Sequence, residues 1–260
     1  VYKRQALHHW EEPCIAGTRG AGTVFFAGCN LSCVYCQNYE ISEMRKGIEV
    51  SVDRLKEIYQ ELIRQGAHNI DLVTPTHYTH AIFQSLRDPL PVPVVYNCGG
   101  YERVETLRSL EGLVDIWLPD LKYADGALAS QLSAAPDYFP VATAAIQEMF
   151  RQTGPYVMEN GLLRRGVVIR HLVLPGYLDN TRRVIDWVAE TFRPGDVLFS
   201  LMSQYTPQPG AQGRLARRLT RAEYRAAADY MHNCGIIDGF TQERTAAREE
   251  YTPAFDLTGV

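Results

Sequence analysis

Six short runs of apolar, mostly β-branched or aromatic residues punctuate this chain of 260 residues, at 23–27, 70–73, 92–96, 114–118, 167–174 and 197–201. Each is too short for a buried helix and rich in Val, Ile and Phe, so each is expected to be a strand. Helical patterns lie between them. Ser51 precedes apolar residues at Val52, Leu55, Ile58, Tyr59, Leu62 and Ile63, and Gly66 supplies a stop. Asn180 precedes Val184, Ile185, Val188 and Phe192, with Pro194-Gly195 beyond. Thr220 and Glu223 have capping-box spacing ahead of Tyr224, Ala227, Ala228 and Met231. Strands without polar alternation need both faces covered, as in a parallel sheet flanked by helices. Six such units are two short of a closed eight-fold barrel. The expected fold is therefore α/β, an open partial (β/α)6 barrel of TIM type.

The segment after each expected strand is polar or rich in Gly and Pro. The first strand leads into GCNLSCVYC, the second into Thr74-Pro75-Thr76-His77-Tyr78, and the third into Asn97-Cys98-Gly99-Gly100. The fourth leads into Pro119-Asp120-Leu121-Lys122, the fifth into Pro175-Gly176, and the sixth into Met202-Ser203-Gln204-Tyr205-Thr206-Pro207. Parallel barrel strands bring these segments to one carboxyl-terminal rim, so a site is expected around the cysteines.

Three of the six cysteines, Cys29, Cys33 and Cys36, fall within eight residues as C-x3-C-x2-C, while Cys14, Cys98 and Cys234 stand alone. Three thiolates on a tight loop suit three corners of an iron–sulfur cube, with the fourth iron left open. A zinc site completed by His8, His9 or Cys14, or a chance grouping of buried thiols, are the alternatives that spacing leaves. The cysteine usage fits a cytoplasmic protein better than a secreted disulfide scaffold. A net charge of −4 argues against a nucleic-acid or anionic-membrane partner. No apolar run approaches the ~18 residues of a membrane span.

The loop GCNLSCVYCQN resembles the signature of radical S-adenosylmethionine (radical SAM) enzymes, with aromatic Tyr35 just before the last cysteine. The chain is also similar to the pyruvate formate-lyase activating enzyme group. Asp120-Leu121-Lys122 resembles that group's DLK, and the segment from Ile169 to Gly176 resembles its R-x-V-V-x-P-G. The subgroup most like it contains HHWEEPC, TVFF-GCN, TPTHY, PDLKY and SQYTP. The resemblance implies a radical SAM core whose [4Fe-4S] cluster is held by Cys29, Cys33 and Cys36. The amine and carboxylate of S-adenosylmethionine would chelate the open iron. Reductive cleavage would give a 5′-deoxyadenosyl radical that abstracts hydrogen, in anaerobic chemistry. A low-potential donor such as flavodoxin or ferredoxin would supply the electron, and a glycyl-radical enzyme would be the partner. Another peptide or small-molecule substrate is the alternative, and a non-catalytic iron–sulfur or zinc-stabilised binding protein is the reading from a different class.

Cofactor contacts are expected from the rim residues Tyr35, Thr76, His77, Asn97, Asp120, Lys122, Arg170 and Tyr205. Asp120 and Lys122 are two apart, so an extended backbone points both to one side. Arg170, in an apolar strand, needs a carboxylate partner. Gly99 and Gly100 permit close backbone approach, either to a ligand or in a tight turn. The chain departs from the activating enzymes after the second strand, where Thr74 to Tyr78 replace a Gly-Gly-Glu segment that contacts the methionine amino group. Tyr205 lies where the group often has a His near the adenine. His8, His9 and Trp10 are expected to pack beneath the cysteine loop, and Cys98 and Cys234 to be packing residues. Arg214, Arg217, Arg218, Arg221 and Arg225 form a basic stretch that is most simply a solvated face.

The leading VYKRQ is also the translation of a transposon-type sequencing adapter, so residues 1–5 are expected to be a non-native leader on a gene truncated at its 5′ end. Residues 6–22 are expected to pack on the core. Residues 23–260 are expected to form the partial-barrel domain, including the 251–259 tail.

Overall fold

The six expected strands form in a computed structural model that describes residues 2–9 and 11–241. In chain order the strands are β1 (Tyr2–His8), β2 (Ala21–Phe26), β3 (Ile70–Val73), β4 (Val94–Cys98), β5 (Ile116–Pro119), β6 (Val157–Glu159), β7 (Leu162–Leu172), β8 (Leu198–Met202) and β9 (Gly239–Thr241). The helices are α1 (Pro13–Ala16), α2 (Tyr39–Ser42), α3 (Val52–Arg64), α4 (Thr79–Ser85), α5 (Val104–Arg108), α6 (Gly126–Ser133), α7 (Tyr138–Thr153), α8 (Leu178–Thr191) and α9 (Arg221–Asn233). The sheet runs β1-β2-β3-β4-β5-β7-β8-β9, with β6 folded antiparallel onto β7. Pairing is parallel from β2 to β9, and β1 joins antiparallel at the β2 edge. The result is a half-barrel with helices around it, the predicted partial TIM-type architecture.

Two of the predicted helix starts carry the predicted caps. Ser51 accepts a hydrogen bond from Arg54 N, and Thr220 and Glu223 complete a reciprocal capping box. Asn180 behaves differently. α8 starts at Leu178, and the Asn180 amide turns back to bond Ala124 N and Lys122 O. Strand β4 begins two residues later than expected because Pro93 has no N–H to give a ladder. Strand β7 begins earlier, extended by its hairpin with β6.

Strand alternation divides the apolar side chains into two sets. Val24, Leu72, Tyr96, Trp117, Ile169 and Phe199 face the helices and join the main core. Val95, Ile116, Leu118, Val168 and Leu198 face inward, where Cys14 and Ile15 of α1 pack against them. The short α1, begun by a proline, thus stoppers the amino-terminal end of the barrel. Fully burying a side chain such as Ile15 or Ile116 contributes roughly 1.5–3 kcal/mol. Other inward positions are polar, Asp71, Asn97, Arg170 and Ser200, and stand beside apolar Phe25, Val73, Leu172 and Met202 toward the carboxyl ends.

One join in the sheet is interrupted. β5 and β7 pair at Ile116↔Gly166 and Trp117↔Val167, and meet again only at Asp120↔Arg170. Asp120 N–H bonds Cys98 O toward β4, whereas Leu121 N–H bonds Arg170 O toward β7. By that alternation the amide of residue 119 faces β7, and Pro119 has no proton to place there.

Candidate functional site

The rim segments converge on a cavity of about 240 Å³. Cys33, Tyr35 and Cys36 line it together with Asn97, Asp120, Lys122 and Arg170. Cys29 stands beside them, partly buried, with Leu31 N–H 3.5 Å from its sulfur. Burial pushes the Cys29 thiol up to about 11, and Cys33 shifts the same way against the pull of Lys122 and a Ser133 hydrogen bond. Such thiols become thiolates when a metal displaces the proton.

The cysteine loop is held from several directions. Gly28, at φ +88°, gives its N–H to Ile41 O, in a left-handed conformation that suits glycine. Val34 N–H bonds Leu132 O, and Ser32 N–H bonds Ser133 O, at the end of α6. Tyr78 stacks on Phe26 and donates to Ala27 O at 2.8 Å. His77 lies under Gly28, close enough that a methyl group at 28 would touch its ring.

These contacts give the TPTHY segment a different part from the one expected of it. Thr76 turns away from the cavity, and its hydroxyl donates to buried Glu102 at 2.5 Å. His77 and Tyr78 buttress the cysteine loop. Thr74 has φ +57°, a strained conformation for a β-branched residue, and its N–H bonds Asn97 O. Tyr205 also lies outside the cavity wall. Its ring packs on Tyr35 at 6.3 Å and its hydroxyl donates to Leu215 O at 2.6 Å. Thr76, His77 and Tyr205 are thus neighbours of the cavity wall and not part of it.

The charged residues of the lining form a buried ionic array. Arg170 Nε donates to Asp120 Oδ1 at 2.9 Å, its second nitrogen to Asn97 Oδ1 at 2.6 Å, and its third reaches Glu11 at 3.4 Å. Lys122 Nζ is 2.5 Å from Asp120 Oδ2. Both of these Asp120 pairs are largely buried, so they are not screened surface pairs. The Asp120 carboxyl is held below the ordinary range by Arg170 and Lys122, which overcome the opposing effect of burial. Gly100, at φ +77°, lies so close to Asp120 O that any side chain would collide with it. Its close approach serves the protein, not a ligand. His171 is buried and neutral, pushed down to about 4 by burial, and spans Leu121 O and Thr181.

Sequence reasoning missed three acids of this array, Glu11, Glu12 and Asp71. Glu11 and Glu12 look like a solvated turn, yet both line the cavity. Glu12 Oε2 and both carboxylate oxygens of fully buried Asp71 have no hydrogen-bond partner. Ser200 and Asn97 stand nearby without reaching bonding geometry. Burial pushes the Glu12 carboxyl up to about 7, against the pull of Arg170, and raises Glu11 and Asp71 as well. The one available signal was α1 itself, since a stopper in the barrel carries the residues before it inward.

Around the site, His8 packs edge-on to Phe25 and lines the cavity. Cys98 is buried in the core, and Cys234 caps the end of α9. Arg214 packs over Tyr177 and bonds Gly176 O, and Arg217 pairs with Glu223. Trp10 and the 251–259 tail lie outside the described residues. Among the described residues no helix is long and apolar enough to cross a membrane.

Residues 23–113 match the model of the Radical SAM superfamily. An uncharacterized protein of Methanocaldococcus jannaschii is 29% identical over 243 residues, covering 88% of this chain and 66% of that protein. Among solved structures, Streptococcus suis SuiB bound to precursor peptide SuiA superposes with a TM-score of 0.60 at 13% identity, over 86% of this chain and 49% of that one. A mutant of spore photoproduct lyase superposes with a TM-score of 0.56 at 14% identity, over 84% of this chain and 74% of that one. The chain therefore spans just under two thirds of the curated relative and about half of SuiB, and at these identities the structural likeness speaks to the fold. The family match begins on β2 and takes in the cysteine loop and the strands beside it, and over that stretch, set in the half-barrel, the chain is similar to the radical SAM superfamily, whose members use a [4Fe-4S] cluster and S-adenosylmethionine.

Proposed function

We propose that this chain is a radical SAM enzyme that acts on a protein partner in the manner of the glycyl-radical-enzyme activating enzymes. The donor set fits the two cofactors. Three thiols sit on one loop, Cys33 and Cys36 lining the cavity and Cys29 beside it, which suits a cluster with an open iron. Cys29, Cys33 and Cys36 would hold the cluster. Lys122, with Arg170 and Asn97 behind it, would receive the methionine end of S-adenosylmethionine, and Tyr35 would flank it. When bound, the reduced cluster and S-adenosylmethionine supply a carbon-centred radical that takes a hydrogen atom from the substrate.

The observation that carries this reading is the ionic array that lines one cavity together with Cys33 and Cys36. A plain electron carrier has no use for buried Lys122 and Arg170 beside its cluster. A macromolecular partner is favoured by the outer surface of the same loop. Of eight exposed large hydrophobic side chains among the described residues, Val34, Tyr39, Met44 and Ile48 lie on the segment that starts between the last two cysteines. A low-potential flavodoxin or ferredoxin would deliver the electron.

The test is anaerobic reconstitution with iron and sulfide, followed by dithionite and S-adenosylmethionine. Formation of 5′-deoxyadenosine is expected. Stoichiometric zinc without sulfide, or a cluster that never cleaves the cofactor, would overturn the enzyme assignment. Mixing with a glycyl-radical enzyme should then give the doublet of a glycyl radical by EPR. Cleavage without that doublet moves the substrate to another peptide or a small molecule.

A further inference from the structure

Cys33 differs from its two companions in what reaches its sulfur. Ser133 Oγ lies 2.9 Å from Cys33 Sγ. The Tyr123 hydroxyl lies 2.6 Å from Ser133 Oγ, and the Tyr35 hydroxyl lies 2.6 Å from that of Tyr123. All three are buried, and Tyr35 is among the residues that line the cavity. The neighbouring cysteines have weaker company. Cys29 has the long Leu31 N–H contact, and the Ser42 hydroxyl lies 3.6 Å from Cys36 Sγ.

The direction of this chain follows from proton counting. A cysteine that ligates iron is a thiolate with no proton to give, so Ser133 donates to it. Ser133 has one proton, so Tyr123 donates to Ser133, and Tyr35 in turn donates to Tyr123. Every member points its dipole toward the sulfur, and each bond strengthens the next. The geometry is anchored, because the two carbonyls that end α6 accept N–H groups from the cysteine loop itself. Negative charge on cluster sulfur grows when the cluster is reduced. A donor fixed on that sulfur therefore favours the reduced form.

We propose that Tyr35, Tyr123 and Ser133 form an oriented hydroxyl chain that raises the reduction potential of the cluster through the Cys33 sulfur. The inference rests on the cluster assignment above and not on the identity of the substrate. These are positioning residues for the electron, and they need not touch it.

The experiment is an EPR-monitored redox titration of the reconstituted wild type, Ser133→Ala and Tyr123→Phe, at matched iron and sulfide. At the potential where the wild type is half reduced, Ser133→Ala should show a reduced-to-oxidised ratio about ten-fold lower, which is ~59 mV for one electron. Tyr123→Phe keeps the ring, removes the hydroxyl behind Ser133, and should lower the ratio about two- to three-fold. An unchanged ratio in fully loaded Ser133→Ala overturns the proposal. Should Ser133→Ala fail to hold a cluster, Tyr123→Phe decides alone, and its matching the wild type overturns the proposal. A shifted potential in a protein that makes no 5′-deoxyadenosine would leave this inference standing while the proposed function falls.

Discussion

Along β4, β7 and β8, and from β5 into Asp120, the inward side chains change from apolar to polar within two to four residues. At the amino ends Ile116, Val168 and Leu198 close over Cys14 and Ile15 in an apolar floor. Farther along the same strands stand Asp120, Arg170 and Ser200, joined by Asp71, Asn97, Glu11 and Glu12. Strands of four or five residues offer only two or three inward positions each. On β4, β7 and β8 an apolar inward residue, Val95, Val168 or Leu198, is followed by a polar one, Asn97, Arg170 or Ser200. The floor can therefore be as stable as any core, whereas the upper layer carries four buried carboxyl groups, Glu11, Glu12, Asp71 and Asp120, against two buried cations, Lys122 and Arg170. An array so unbalanced adds little to folding, and its use lies in what it binds.

The sharpest way to break this comparison is to alter cysteines of the two layers. Cys29→Ala, Cys33→Ala or Cys36→Ala should abolish cluster absorbance and cofactor cleavage together, whereas Cys14→Ala in the floor should leave both and lower only the melting temperature. Iron and sulfide analysis of the four variants is the check. Charge removal comes next. Arg170→Met leaves Asp120 with Lys122 alone and takes the guanidinium from Glu11 and Asn97, and should destabilise by about 3–5 kcal/mol, comparable to the ~2–5 kcal/mol of Ile116→Ala. If denaturant titration found Arg170→Met neutral, the upper layer would not be an interdependent array.

Lys122→Met should weaken S-adenosylmethionine binding ten- to a hundred-fold, the effect of one charge-assisted hydrogen bond of roughly 1.5–3 kcal/mol. The measure is the cofactor's perturbation of the reduced cluster's EPR spectrum at equal iron loading. Equal affinity would confine Lys122 to its pairing with Asp120.

The smallest expected effect concerns pH. Burial lifts Glu12 from 4.5 to about 7 in the folded chain. The unfolded chain releases that proton near pH 4.5, and the folded chain keeps it until about 7, so folding is weakened progressively between those values and no further above them. Glu12→Gln should flatten that slope by on the order of 1–3 kcal/mol. Glu102 is raised to about 7 by burial too and should keep a residual slope in the variant. Midpoints of urea unfolding at pH 5 and pH 7.5 decide it, and an undiminished slope would exclude Glu12 as a source.

The outer frame was legible in sequence for a physical reason. Strands buried on both faces betray themselves by β-branched runs, and caps such as Ser51 and Thr220 act on residues three positions away. The segment from α6 to α7 was not foreseen, because Ala129, Ala142, Ala145, Ile146 and Met149 make it a core helix pair without a pronounced polar face. Of the site, the cysteines, Asn97, Asp120, Lys122 and Arg170 were foreseen as rim residues. Glu11, Glu12, Asp71 and Ser133 were not, since their role depends on a neighbour brought from a distant part of the chain. Thr76 shows the converse, a polar residue on the correct rim whose nearest acid, Glu102, draws it out of the cavity.

The missing amide at Pro119 has a consequence for motion. Sheets exchange their amide protons by opening where the fewest bonds must break, and this one has a gap between β5 and β7. Asp120 and Arg170 bridge the far side of that gap with both backbone and side chains. The barrel therefore has a seam, and the ionic array straddles it. Amides such as that of Leu121 should exchange sooner than those of β3 or β4, and a ligand seated on Lys122 and Arg170 should slow them. The array then acts as a clasp, and occupancy of the cavity is read out as the breathing rate of one pair of strands.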